Sequence, residues 1–248
     1  MKEEMNENVG KKLAFHIGDY WGRKYDYFRH YIPFVLKYNI RFINWNQCME
    51  AIRNPHMYDI FIPSKNDFIL DIGTQFGDYA MLWAKSGAIV YAYELDYGNY
   101  SMAKRNIELN HSGVKLFNIP IGDGSAITYN YLGAMAVKSD NGASVKTTTI
   151  DSLNLKPSLL KIDVEGFELA VLHGAEQTLK NNNIRLIIET HSKELRKQCT
   201  EFLHSLGYSL YKEGRKTKGK EWMDEVVNLF FTQQPQEMCD RVQWPRSF

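Results

Sequence analysis

Short apolar runs, each closed by a polar or glycine-containing turn, recur along most of the chain. The clearest is FILDI at residues 68–72, which is followed by a turn and then by a helical pattern from Asp78 to Lys85. A near-continuous apolar run that leads into a helix is typical of a parallel strand buried on both faces. The pattern therefore predicts a doubly wound α/β fold, in which ligands bind beyond the carboxyl ends of the strands.

The alternation of strand and helix patterns continues through the chain. Helices are expected at about 99–110, from Gly166 through Leu179, and at 193–206. The segment from Gly122 to Val145 is expected to be irregular with short β pieces. Further strands are predicted at 88–93, 114–119, 159–163, 184–188, 208–211 and 226–232, the last two as a hairpin. Together these elements predict a mostly parallel, seven-stranded sheet.

Aromatic residues are dense in the first 60 positions, where no strand pattern is visible. Trp21, Tyr25 and Phe28 follow one another at helical spacing, which indicates one apolar helix face. We therefore predict an N-terminal helical extension at residues 1–60 and one α/β domain at 61–248. We expect the extension to pack on the sheet edge; the alternative is a lid over the active site.

Composition narrows the classes of protein that the chain can belong to. The 248 residues are 44% hydrophobic and 24% charged with a formal charge of +1, which disfavours disorder and binding to polyelectrolytes through net charge. The three cysteines form no C-x-x-C pair, so zinc and redox motifs are unsupported. No apolar run approaches the roughly 20 residues of a membrane helix, and we expect a cytoplasmic location without a membrane partner.

The segment 212–220, KEGRKTKGK, is strongly basic. If the strand before it is parallel to the others, this segment emerges on the ligand side of the sheet and is placed to attract a phosphate, an acidic sugar or a nucleic acid. The simpler interpretation is a solvated loop. Nucleic acid is therefore not the expected partner, and the pattern predicts nothing about the oligomeric state.

The turn after the first strand predicts a nucleotide site. Gly73 and Gly77 let the backbone pass close to a ligand, and the first amides of the following helix point toward it. A dinucleotide fingerprint is G-x-G-x-x-G, but Gln75 stands at the middle glycine. The pattern D-x-G-x-x-x-G from Asp71 resembles motif I of class I S-adenosylmethionine-dependent methyltransferases, where an acid suits the methionine amine. Glu94, which ends the second strand, is placed to hold ribose hydroxyls.

Charged residues follow two of the later strands. Lys161, Asp163 and Glu165 alternate along a predicted central strand, where burying charge is unfavourable unless it is paired or faces a ligand. A structural Lys–Asp pair is the alternative for Lys161. Glu189 and His191 follow the next strand and are expected to border the same cleft.

Several blocks together resemble the FkbM-type methyltransferases. They are LDIGTQFGDYA, AYELD, RNIELN, TTTIDSL, LKIDVEGFELAVLHGAEQTL, LIIETH and LGY, in that order over about residues 66–211. The KIDVEG-x-E block is the most specific of them. The resemblance implies a class I methyltransferase domain, S-adenosylmethionine as cofactor, and methyl transfer to a hydroxyl of a sugar, polyketide or other small metabolite.

The resemblance also implies a set of site residues. Leu95 stands where the family commonly has proline and is expected to contact the cofactor. Asp123 is not part of the resemblance; from its place in a loop it is expected either to approach the adenine or, more simply, to be solvated. The remaining cofactor-binding residues are Asp71, Gly73, Thr74, Gln75, Gly77, Asp78, Glu94 and Asp163.

For catalysis, we expect Asp163 to bound the methyl-donor side and either Glu165 or His191 to accept the acceptor proton. No metal site is predicted; magnesium held by Asp163 and Glu189 is a second choice, because the sequence shows no dense ligand cluster. Two other classes stay open. One is a nicotinamide-dependent oxidoreductase on a similar sheet, and the other is a non-catalytic module that binds S-adenosylmethionine.

Overall fold

The computed structural model describes residues 24–132, 135–138, 140–215 and 226–235. The strands in these ranges are β1 (Phe68–Ile72), β2 (Ile89–Tyr93), β3 (Lys115–Phe117), β4 (Ala126–Leu132), β5 (Met135–Lys138), β6 (Ala143–Lys146), β7 (Leu159–Ile162), β8 (Arg185–Thr190), β9 (Ser209–Arg215) and β10 (Val227–Thr232). The α-helices are α1 (Ile32–Tyr38), α2 (Met49–Arg53), α3 (Asp78–Lys85), α4 (Tyr97–Asn110), α5 (Glu168–His173), α6 (Glu176–Asn181) and α7 (Lys193–Ser205).

Seven strands form one sheet in the order β3-β2-β1-β7-β8-β10-β9. All neighbours from β3 to β8 are parallel, and β10 is antiparallel to both β8 and β9. Alternate residues of the strands enter separate cores on the two faces: Ile69 packs with the extension and α3, whereas Leu70 packs with α5, α6 and α7. The predicted mostly parallel, doubly wound sheet is confirmed.

The segment from Gly122 to Val145 is more regular than its composition indicates. A separate three-stranded antiparallel sheet forms in the order β5-β4-β6, with Tyr129 paired to both Lys138 and Ala143. The short β pieces expected here are therefore present as β4 and β6, but the expectation that the rest of the segment is irregular is wrong, because β5 joins them in a regular sheet. Pairing between strands outweighs the weak local preference of a Gly- and Asn-rich segment.

The helix predicted as continuous over 166–179 is two helices, α5 and α6, separated at Gly174. A Cβ at Gly174 would lie 1.9 Å from the carbonyl oxygen of Gly122, so only glycine permits this approach of two segments. Asp151 then caps the second helix, accepting from the amide of Thr178 at 2.8 Å. The helix is therefore interrupted by contacts with segments that are distant in sequence.

The N-terminal helical extension is present, but a different apolar face from the predicted one is buried. Tyr25 and Phe28 are 55% and 68% exposed, whereas Tyr31 and Phe34 are buried. Trp21 lies outside the described residues. No helix in the described ranges has both the length and the apolar character needed to cross a bilayer.

Two asparagines of α4 attach the extension to the sheet domain. Asn106, which is fully buried, accepts from the amide of Ile43 at 2.9 Å and donates to the carbonyl of Phe76 at 3.0 Å. Asn110 accepts from the amide of Arg41 at 2.8 Å and donates to its carbonyl at 2.7 Å. Because Phe76 belongs to the glycine turn, Asn106 joins the extension directly to the predicted nucleotide site.

We expect Asn106→Ala to lower the free energy of unfolding by about 1–3 kcal/mol, because it leaves the buried Phe76 carbonyl without its donor. Urea denaturation measures the change. Asn110→Ala is the matched control, and a smaller loss is expected because its partner Arg41 is exposed to water. Equal losses in the two variants would contradict this interpretation.

Candidate active site

The glycine turn after β1 is held closely against its neighbours. The amides of Gly73 and Thr74 both donate to the carbonyl of Tyr93, at 2.9 and 3.1 Å. Gly73 has φ +82°, and a Cβ there would lie 1.7 Å from the carbonyl oxygen of Asp163. The turn therefore passes against the end of β7 at a distance that only glycine allows.

Glu94 crosses from the end of β2 to the same turn. Its Oε2 accepts from the amide of Gln75 and its Oε1 from the amide of Asp96, both at 2.8 Å. Burial raises the pKa of Glu94 to about 7, although both amides act in the opposite direction. A carboxylate held by two backbone donors keeps lone pairs that are oriented for further hydrogen bonds.

A cavity lies beyond the carboxyl ends of β1, β2, β7 and β8, and most of its polar wall consists of residues that the sequence singled out. The predicted residues on the wall are Gly73, Gln75, Glu94, Leu95, Asp163, Glu165 and Glu189. Residues that sequence reasoning missed include Glu50 from α2, Asn99 from α4, and an apolar group formed by Pro120, Ile121, Ile127 and Phe167. No short sequence signal marks these residues, because they come from five separate segments.

Other predicted cofactor residues lie behind the wall of this cavity or away from it. Asp71 is 1% exposed and accepts from the Thr74 hydroxyl at 2.7 Å, so it supports the turn from beneath. Gly77, with φ +76°, precedes α3. Burial raises the pKa of Asp78 to about 7. Asp123 is exposed, and its Oδ1 accepts from the amide of Ser125 at 2.9 Å.

Lys161 is buried at the end of β7 and contacts both sides of the site. Its Nζ donates to the carbonyl of Gly73 at 3.0 Å and lies 3.4 Å from Asp71 Oδ1 and 3.3 Å from Asp163 Oδ2. Burial alone would lower the pKa of Lys161, but the neighbouring carboxylates outweigh it and raise the pKa. The ammonium group therefore remains charged. The Lys–Asp pair left open by the sequence is present, within a site that also borders the cavity.

His191 brings four carboxylates together. Its Nδ1 lies 2.6 Å from Glu168 Oε1, and its Nε2 lies 3.1 Å from Glu165, 3.6 Å from Glu189 and 3.7 Å from Asp163. Burial lowers the pKa of His191, but the hydrogen bond to Glu168 and the other carboxylates raise it to about 9. At neutral pH the imidazole therefore carries a proton on both nitrogens.

The strand period that was expected to align Asp163 with Glu165 does not extend that far. β7 ends at Ile162, and Glu165 has φ +51°, which is outside the extended region. Asp163 and Glu165 nevertheless meet near His191, because the turn at Glu165 folds back toward the end of β8. Glu168 is the member of this cluster that sequence reasoning missed, because a carboxylate in the first turn of α5 gives no local signal that it will contact a histidine after β8.

A family profile for the methyltransferase FkbM domain matches residues 71–210, a stretch that contains the glycine turn, Glu94 and the His191 cluster. The chain belongs to the methyltransferase FkbM family. The resemblance to FkbM-type methyltransferases that the sequence shows is therefore confirmed. The extension up to residue 60 lies outside the part that defines the family.

Two similar proteins extend the comparison. The crystal structure of an FkbM methyltransferase from Methylobacillus flagellatus superposes with a TM-score of 0.51 at 18% identity, covering 67% of this FkbM-family chain and 44% of that chain. An uncharacterized protein of Methanocaldococcus jannaschii is 41% identical over 70 residues, which are 28% of this chain and 26% of its own. The chain thus spans less than half the length of either. The structural likeness supports the class I fold.

We expect Gly73→Ala to destabilise this FkbM-family protein far more than Gly113→Ala. Both glycines have positive φ, +82° and +74°, but a Cβ at Gly113 meets no atom within 4 Å. Gly113→Ala should therefore cost only the backbone strain of about 1–2 kcal/mol, whereas Gly73→Ala adds a clash with Asp163. Urea denaturation of both variants measures the difference, and similar losses would refute the close approach.

Proposed function

We propose that the chain transfers a methyl group from S-adenosylmethionine to a hydroxyl oxygen of a small metabolite. The observation that carries the proposal is one cavity whose lining includes two groups of residues. The first group is the glycine turn with Glu94, and the second is Asp163, Glu165 and Glu189. Membership of a methyltransferase family supports the reaction class.

The group formed by the glycine turn and Glu94 suits a nucleoside. Glu94 is oriented by two amides and can accept from both ribose hydroxyls. Ile121, Ile127 and Phe167 offer apolar surface for an adenine ring. Leu95 completes this wall, whereas Asp71 and Thr74 act from beneath by keeping the turn in shape. Because the backbone of Gly73 lies against the carbonyl of Asp163, a ligand held by the turn would bring its sulfonium part near the end of β7.

The group formed by Asp163, Glu165 and Glu189 suits a hydroxyl acceptor. Methyl transfer is an in-line displacement in which the bond from methyl carbon to sulfur breaks, the bond to the acceptor oxygen forms, and the sulfonium becomes a neutral thioether. Alignment in a water-poor site supplies much of the rate. The hydroxyl proton must pass to a base, and Glu165 lines the cavity with a side chain that is 27% exposed. His191 is the other candidate named from the sequence, but with a pKa of about 9 it can accept a proton only at high pH, which favours Glu165 at neutral pH.

The test of the proposal combines binding and transfer. S-adenosylhomocysteine should raise the melting temperature of the full chain, whereas NADH should not. A methyl-labelled cofactor should then label some member of a panel of sugars, polyketides and amines. A shift with NADH alone would favour the oxidoreductase alternative, and cofactor binding without transfer to any acceptor would favour the non-catalytic module.

Replacement of Glu94 should weaken cofactor binding in a pH-dependent manner. The pKa of about 7 means that Glu94 gains a proton as the pH falls from 8 to 6, and a protonated carboxyl accepts ribose hydrogen bonds less strongly. Wild-type affinity for S-adenosylhomocysteine should therefore fall over this range. Glu94→Gln should bind at least about tenfold more weakly at pH 8 and lose most of the pH dependence.

Isothermal titration calorimetry at pH 6, 7 and 8 measures these affinities. Glu201→Gln, an exposed position on α7, is the matched control and should behave like wild type. An unchanged affinity of Glu94→Gln for S-adenosylhomocysteine would show that Glu94 does not bind the ribose.

Replacing the candidate bases separately should show which one accepts the proton. Loss of the base lowers turnover by about 10² to 10⁴-fold at saturating cofactor. At neutral pH we expect this loss for Glu165→Gln, whereas a loss in His191→Asn that appears only above about pH 9 would indicate His191 as the base. The affinity for S-adenosylhomocysteine should be retained in both variants. Full turnover in both variants would show that neither side chain is the base.

A further inference from the structure

Three side chains, of which two line the cavity, are arranged as metal ligands. Asp163, Glu189 and His191 each offer one ligand atom, and these atoms all lie within 4.8 Å of one another. His191 Nε2 is 3.6 Å from Glu189 Oε1 and 3.7 Å from Asp163 Oδ1. Atoms that share an ion at about 2.1 Å are separated by about 3 to 4.2 Å, so these spacings need little adjustment.

Contacts outside this group of three orient two of its members. Glu168, which is fully buried, holds His191 Nδ1 at 2.6 Å and so turns Nε2 toward the carboxylates. A carboxylate on the far nitrogen of the ring is the usual support of a metal-binding histidine. Lys161 contacts Asp163 Oδ2 at 3.3 Å, which leaves Oδ1 on the side of His191.

The cavity provides the open coordination positions that a catalytic ion needs. Asp163 and Glu189 both line the cavity, and Glu165 lines it beside them. An ion bound to the three atoms would therefore face the space proposed for the acceptor. Water or an acceptor hydroxyl can complete its coordination from that side.

We propose that Asp163, Glu189 and His191 bind a divalent cation of the magnesium or manganese type beside the methyl acceptor. Two carboxylates with open positions for oxygen ligands suit a hard, six-coordinate ion, and one imidazole is compatible with manganese. No cysteine belongs to the group, so a soft-metal site is not indicated. Binding at Nε2 displaces the proton of that nitrogen into solvent.

The role of the cation rests on the proposed function, whereas its binding does not. The ion takes the acceptor oxygen as a ligand and favours loss of the hydroxyl proton, which passes to the carboxylate of Glu165. The resulting alkoxide attacks the methyl carbon as the bond to sulfur breaks. The ion thereby places the acceptor near Gly73, where the turn meets β7.

The experiment titrates manganese into the full chain after treatment with chelator and buffer exchange. The fall of the free manganese signal in electron paramagnetic resonance reports binding, with and without S-adenosylhomocysteine. We expect one ion per chain. Asp163→Asn and His191→Gln should each weaken binding at least about tenfold, and circular dichroism confirms that they fold. Glu201→Gln, an exposed position on α7 outside the cavity lining, should retain the manganese affinity.

The possible outcomes test the cation site and the proposed cofactor separately. Binding of S-adenosylhomocysteine without manganese binding in either condition overturns the cation site alone. Manganese affinity that is unchanged in both ligand variants overturns it as well. If one variant does not fold, the other gives the decision. Manganese binding without any binding of S-adenosylhomocysteine supports the cation site and overturns the proposed cofactor.

Discussion

A buried ammonium group holds the two sides of the site together. Lys161 lies beside Asp71 in the parallel register of β1 and β7, contacts its carboxylate, and also reaches Gly73 and Asp163. Removing one partner of such a buried group leaves an uncompensated charge that costs about 3–5 kcal/mol. The glycine turn and the acid after β7 are therefore held in position by one charge, and the shape of the cavity depends on it.

On the other side of β1, hydrogen bonds to backbone groups hold the glycine turn against β2. The carbonyl of Tyr93 accepts from both Gly73 and Thr74, and the carboxylate of Glu94 accepts from Gln75. These contacts satisfy polar groups that would otherwise be unpaired at a strand end. Because they join β2 to the turn after β1, the turn is fixed from both neighbouring strands before any ligand binds.

The extension belongs to the site physically although it lies outside the family profile. Asn106 links the extension to the turn through Phe76, and α2 places Glu50 on the cavity wall. Tyr79 on α3 also donates to the carbonyl of Asn54 at 2.9 Å. A segment outside the matched FkbM domain thus contributes to the surface of the cavity.

By itself the sequence determined the seven strands of the main sheet, their mostly parallel direction and the glycine turn, because strand burial and turn geometry follow from local residue pattern. It also indicated Glu94 and Asp163 as acids at strand ends. Only the tertiary structure decided the break at Gly174 and the union of Glu168 with His191. Both features arise where segments distant in sequence come into contact. A local sequence pattern does not predict which side chains such segments bring together.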